Sequence, residues 1–185
     1  KSTDDRAKAI ARGEAVYHGY SICWSCHPAY VPETKINEHL AVFGGSPRSE
    51  FRPDLSESVG KPNDDGEVIY PPDFRRDFVR SGTRVEDLYR SISAGISGTA
   101  MPTWVDSIDV PGAHPGDPPI ASLDDLWAMA YYVQSLIAQR PPLLKPGEFV
   151  VRQRPGTILL HGGRPPPIKA VESATSQPVD FEGEF

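Results

Sequence analysis

Cysteine and methionine are scarce here: two of each in 185 residues. The only possible intrachain disulfide would join residues three apart, and so small a loop constrains the unfolded chain little. Long apolar runs are missing too, and nothing approaches the 18 or so consecutive residues of a membrane span. Positive charge is not in excess. The net charge of −6 argues against nucleic acid as a partner. No export segment is visible, yet the chain opens on Lys1 rather than methionine. The expectation is a mature, periplasmic or otherwise exported form whose signal segment has been removed, or a chain from which it was omitted.

Proline and glycine are plentiful instead, 20 and 16 residues. The prolines fall mostly outside the segments with helical periodicity, which predicts a small core with irregular connections and an extended tail.

The two cysteines stand together in Cys23-Trp24-Ser25-Cys26-His27. C-x-x-C-H is the attachment pattern of a c-type haem: both thiols face one way and bracket a porphyrin edge, and the adjacent histidine reaches the iron. Other readings exist. A thioredoxin-like dithiol needs a βαβ setting, and no such pattern surrounds the motif. Zinc needs about four ligands, so Cys23, Cys26 and His27 would require another, His18 or His39. Haem leads.

Along the chain, Thr3 to Tyr20 reads as a helix capped by Thr3, Asp4 and Asp5, with Ile10, Gly13, Tyr17 and Tyr20 on one face and Val16 beside it. Gly13 costs a helix roughly 1 kcal/mol relative to alanine, and the expectation is that it permits close approach of another helix. Residues 29–70 show little periodicity beyond a helical turn or two at Asn37–Phe43 and a short strand at Gly66–Tyr70. Pro71-Pro72-Asp73-Phe74 introduces the next ordered part, with Phe74 and Phe78 four apart on a short helix. Thr83 and Glu86 form a capping box for a helix that stops at Gly95.

Met101 follows in Gly98-Thr99-Ala100-Met101-Pro102. It has no helical face to belong to, and with a haem on the chain its thioether is the candidate second axial ligand. Trp104 either packs on the methionine side of the haem or covers a gap in the core. Residues 105–121 are another proline- and glycine-rich insertion. Ser122 and Asp125 then cap a helix with Leu123, Leu126, Trp127, Ala130, Tyr131, Val133 and Ile137 in its apolar stripe. Tyr132 and Leu136 lie beside the stripe, and Met129 reads as packing. Arg140 suits the negative end of the helix before Pro141-Pro142.

Together these features resemble a class I, single-haem c-type cytochrome. The resemblance rests on Gly13 and Tyr17 leading into Cys-Trp-Ser-Cys-His, on Pro-Pro-Asp-Phe, on Gly-Thr-Ala-Met-Pro, and on the final helix with Tyr132-Val133-Gln134-Ser135-Leu136. It implies an all-α cytochrome c fold: N- and C-terminal helices crossing, short middle helices and long loops. The cytochrome domain would span 1–140, with insertions at 29–70 and 105–121, and 141–185 would be an extended proline-rich tail. Gly13 would meet the Trp127/Tyr131 region with Tyr17 and Tyr132 nearby, and the carbonyl of Pro71 or Pro72 would accept the N–H of His27.

The implied cofactor is one haem c, held through Cys23 and Cys26 with His27 and Met101 as axial ligands; His39 or His114 are alternatives to Met101. With no open coordination position, the expected role is electron transfer rather than catalysis. The insertions and tail favour a cytochrome subunit of, or direct partner to, a larger respiratory or dehydrogenase complex. The alternative is a haem enzyme or small-ligand sensor in which Met101 is displaced.

Overall fold

The computed structural model describes residues 3–109, 120–140, 150–154 and 157–161. Among these the regular structure is mostly helical: α1 (Thr3–Ala15), α2 (Glu33–Val42), α3 (Val85–Ala94) and α4 (Leu123–Ile137), with two small antiparallel hairpins, β1–β2 (Lys61–Pro62, Val68–Ile69) and β3–β4 (Val150–Arg154, Thr157–His161). The protein is an all-α fold with minor strand content. The chain divides into two units, Lys1–Pro141 and Pro142–Phe185. Within the segment expected as an extended tail, Val150 pairs with His161 and Arg154 with Thr157.

The first helix does not run regularly to Tyr20. It passes at Val16 into a single π-helical turn, Val16–Tyr20, closed by the Ser21 N–H on the Val16 carbonyl at 2.8 Å. Val16, Tyr17, His18 and Gly19 are all buried in this turn, which is packed on more than one side.

Helices α1 and α4 pack closely at Gly13. A Cβ there would stand 2.0 Å from the Ala128 carbonyl oxygen and 2.8 Å from the Tyr132 Cβ. The crossing point is therefore Ala128/Tyr132, one position along from the expected Trp127/Tyr131. Tyr17 meets Tyr132 edge-on at 5.5 Å, while Trp127 stacks on Tyr89 of α3 at 4.0 Å. The buried face of α4 is set by that crossing. Leu126, Met129, Val133 and Leu136 are in the core, whereas Leu123 is exposed. Gly19 makes a second close approach, 2.2 Å from a notional Cβ to the His39 carbonyl oxygen, which seats α2 on the π-turn.

Capping differs at the two later helices. The Ser122–Asp125 box forms: Asp125 Oδ2 accepts the Ser122 N–H at 2.9 Å, and both carboxylate oxygens also take a fork from Arg12, at 2.6 and 2.8 Å. Burial pushes the Asp125 carboxyl up, but those hydrogen bonds and the guanidinium charge outweigh it and leave the group below its usual range. The Thr83–Glu86 box does not form, because α3 begins one residue later, with Arg84 at the cap position and no side-chain cap. Phe74 and Phe78 share no helix face. Phe74 is buried in a tight turn and Phe78 is 73% exposed.

Candidate functional site

Ile22, just before the motif, adopts a left-handed conformation (φ 46°, ψ 40°), which is unfavourable for a β-branched residue. It swings the chain out of the π-turn into a 3₁₀ turn, Cys23–Ser25, closed by Cys26 N–H and His27 N–H on the Cys23 carbonyl at 3.1 and 2.9 Å. Both thiols are free of any disulfide. Burial pushes the Cys23 thiol up to about 12, the opposite of the depressed value that makes a dithiol reactive.

Cys23, Cys26, His27, Pro71, Pro72, Met101 and Trp104 all line one cavity of about 340 Å³. Its walls are largely apolar, and its volume falls within the ~300–1,000 Å³ of small-molecule and cofactor sites.

His27 is held in one tautomer. Its Nδ1–H donates to the Pro72 carbonyl at 3.0 Å, so of the two prolines it is Pro72 that supplies the acceptor. Among the described residues nothing bonds the other ring nitrogen. The ring stacks on Phe74 at 4.8 Å and 17°. Burial lowers its pKa to about 4 in spite of the Pro72 bond and the nearby Asp73 charge, so the imidazole is neutral at pH 7 with a lone pair on Nε2.

The Met101 backbone is held by the loop that follows α3, and Trp104 is tied to α3 itself. The Thr99 hydroxyl accepts the Met101 N–H at 3.1 Å, the Ile96 N–H reaches the Met101 carbonyl at 3.4 Å, and the Trp104 N–H bonds the Ser93 carbonyl at 3.1 Å. Met129 by contrast is fully buried in α4, its sulfur 3.9 Å from Cys23 Sγ.

Among the described residues the zinc alternatives lack their fourth ligand. His18 Nδ1–H donates to the Glu14 carbonyl at 2.8 Å, and its Nε2 accepts the Tyr30 N–H at 3.4 Å. His39 Nε2 pairs with Glu14 Oε1 at 3.1 Å. Among the described residues no group of three or more His, Cys, Asp or Glu side chains could hold a metal ion. His114 lies outside the described residues.

Several residues of the site carry no sequence signal. Arg52, in the aperiodic stretch, donates to the carbonyls of Trp24 at 3.0 Å, His27 at 2.9 Å and Leu55 at 3.2 Å, and also to that of Asp54. The Val59 N–H bonds the Cys26 carbonyl at 2.7 Å. The insertion at 29–70 therefore wraps the C-x-x-C-H turn. Tyr30 OH accepts the Phe74 N–H at 2.8 Å and donates to Asp73 at 3.2 Å, fixing the segment that presents Pro72. Arg140 does not serve its own helix end, because its Nε donates to the Phe74 carbonyl at 3.0 Å.

No protein-family model and no curated protein matches the chain. Among solved structures it is similar to the Kuenenia stuttgartiensis reducing HAO-like protein complex Kustc0457/Kustc0458, at 23% identity and a TM-score of 0.46. The match covers 70% of this chain and 44% of that one, so the chain spans less than half the length of this neighbour.

Proposed function

We propose that this chain is a non-catalytic electron carrier with a cytochrome c fold, built to hold one covalently bound haem c. The observation that carries the reading is the state of His27: a neutral imidazole, fixed by the Pro72 carbonyl, in a cavity that also presents two unbridged thiols and the Met101 thioether. Those are the donor types that a haem c requires, and the apolar walls suit a porphyrin face.

Cys23 and Cys26 would supply the thioether links, and His27 and Met101 the axial ligands. The bound group supplies a one-electron Fe(III)/Fe(II) couple. The chain fixes the His27 ring through Pro72 and the Met101 backbone through Thr99 and Ile96, which would limit rearrangement when the charge changes. A soft thioether and an apolar wall both favour the less charged reduced state. The Pro72 bond acts the other way, making His27 a more basic ligand. Trp104 adds an aromatic surface to the same wall.

The setting belongs to the same proposal: an exported compartment, with the chain serving as the cytochrome subunit of, or direct partner to, a larger oxidoreductase complex. Its support is the amount of chain outside the cytochrome-like core. No described helix is long and apolar enough to cross a membrane.

Haem staining of the denatured protein on a gel tests attachment, with a positive band expected. A chain without covalent haem would overturn the reading. By resemblance to the cytochromes, the oxidised protein should show the weak long-wavelength band of methionine ligation, and Met101→Ala should abolish it and lower the reduction potential. A band that survives Met101→Ala would rule out Met101 as the ligand. Co-purifying proteins would identify the complex; a chain that purifies alone and keeps its partner interactions without residues 146–185 would count against docking through the tail.

A further inference from the structure

The polar groups around the cavity are unevenly distributed by charge. Lys61 is the one residue with a permanently charged side chain in the lining, and no carboxylate is present among the described lining residues. Lys61 makes no ion pair among the described residues. It lies half-buried in β1, paired with Ile69 of β2, which also lines the cavity. The hairpin is fixed at its turn, where Asn63 Oδ1 accepts the N–H groups of Asp65 at 3.1 Å and Glu67 at 2.8 Å.

Tyr70 extends the same wall. A Cβ at Gly60 would stand 2.9 Å from Tyr70 Cζ and 2.5 Å from Val68 Cγ1. The hydroxyl end of Tyr70 therefore lies beside the backbone that leads directly into Lys61. A third polar group on the lining, Ser21 Oγ, is buried without a hydrogen-bond partner. Lys61 can only donate, and the two hydroxyls are available to donate. The wall thus offers a positive charge and donors with no carboxylate beside them, so the occupant that suits it is an acceptor carrying negative charge.

We infer that the β1–β2 hairpin is the anion-receiving wall of the cavity, where Lys61 and Tyr70 meet a carboxylate of the bound group. The inference rests on the haem reading above, in which that carboxylate is a porphyrin propionate. It gives part of the 29–70 insertion a function beyond covering the C-x-x-C-H turn. A fixed cation at this wall disfavours the more positive ferric state, so Lys61 would hold the reduction potential up.

The test uses the haem-loaded full chain, as wild type and as Lys61→Gln, Lys61→Arg, Tyr70→Phe and Lys8→Gln. Lys8 is the control, an exposed ammonium paired with Asp4 at 2.9 Å on α1. Haem content, the methionine-ligation band and the midpoint potential are measured for each. The expected result is a lowered potential in Lys61→Gln with the band intact, near-complete restoration in Lys61→Arg, a smaller fall in Tyr70→Phe and no change in Lys8→Gln. A haem-loaded Lys61→Gln chain with the wild-type potential, or a fall equalled by Lys8→Gln, would overturn the assignment of Lys61 while leaving the electron-transfer reading in place. A wild-type potential in Tyr70→Phe would remove Tyr70 from the wall. Absence of covalent haem from the wild type would overturn both.

Discussion

The Pro72 carbonyl accepts the Nδ1–H of His27 at 3.0 Å across 45 residues of sequence. Proline can offer only a carbonyl, so the aim of this bond depends on the residues that follow. Tyr30 is the main fixture there, through Phe74 N–H and Asp73. Tyr30→Phe leaves the Phe74 N–H without its acceptor and should destabilise the fold by about 1–3 kcal/mol. A urea titration measures that loss, and NMR should show the His27 Nδ1–H resonance moving. An unmoved resonance would mean that Tyr30 does not set the Pro72 carbonyl.

Gly13→Ala places a methyl 2.0 Å from the Ala128 carbonyl oxygen, against backbone that cannot yield locally. Separation of α1 from α4 should cost about 3 kcal/mol or more, at or above the upper end of ordinary overpacking. Thermal or urea unfolding checks this. A loss below about 1 kcal/mol would show that the two helices can move apart freely.

Arg52→Met keeps much of the aliphatic stem and removes every donor to the carbonyls of Trp24, His27, Asp54 and Leu55. Hydrogen bonds from a charged group contribute about 1.5–3 kcal/mol each in isolation, and a shared donor gives less than their sum, so a loss near 3 kcal/mol is expected. Arg52→Lys should restore little, because one ammonium cannot reproduce the forked geometry. Hydrogen exchange at Cys26 and His27 should rise in both variants. Full recovery by lysine would show that charge alone suffices.

His18 predicts an acid sensitivity. Burial lowers its pKa from 6.5 to about 4, against the opposing effect of the Glu14 carbonyl bond. Between those values the unfolded chain binds a proton that the folded chain refuses, so stability falls as pH drops through this window. The contribution reaches about 3 kcal/mol at pH 4 and vanishes above about pH 6.5, from 1.36 kcal/mol per pKa unit. Urea midpoints at stepped pH, with NMR of the His18 ring, measure it. A His18 that titrates near 6.5 in the folded protein would refute the prediction.

What is local can be read from the chain alone. Cys23, Cys26 and His27 are neighbours in the chain, so their chemistry is legible without a fold. Gly13 announced a close helix contact, Ser122 and Asp125 announced the start of α4, and Met101 stood out as a thioether with no helical face. These signals lie within a few residues or one helical period.

The rest depends on the folded chain, because the contacts that settle it join segments with no common period. The choice of Pro72 over Pro71 depends on which carbonyl faces a ring 45 residues away. The buried face of α4 depends on where Gly13 meets it, and so Ala128 and Tyr132, rather than Trp127 and Tyr131, stand at the crossing. The π-turn after Ala15 follows from packing against α2, which propensity does not report. Arg52 and Lys61 stand in an aperiodic stretch with no motif around them. One becomes the clamp on the C-x-x-C-H turn and the other the lone cation of the cavity wall, because a charged side chain takes its role from what the fold brings within its reach.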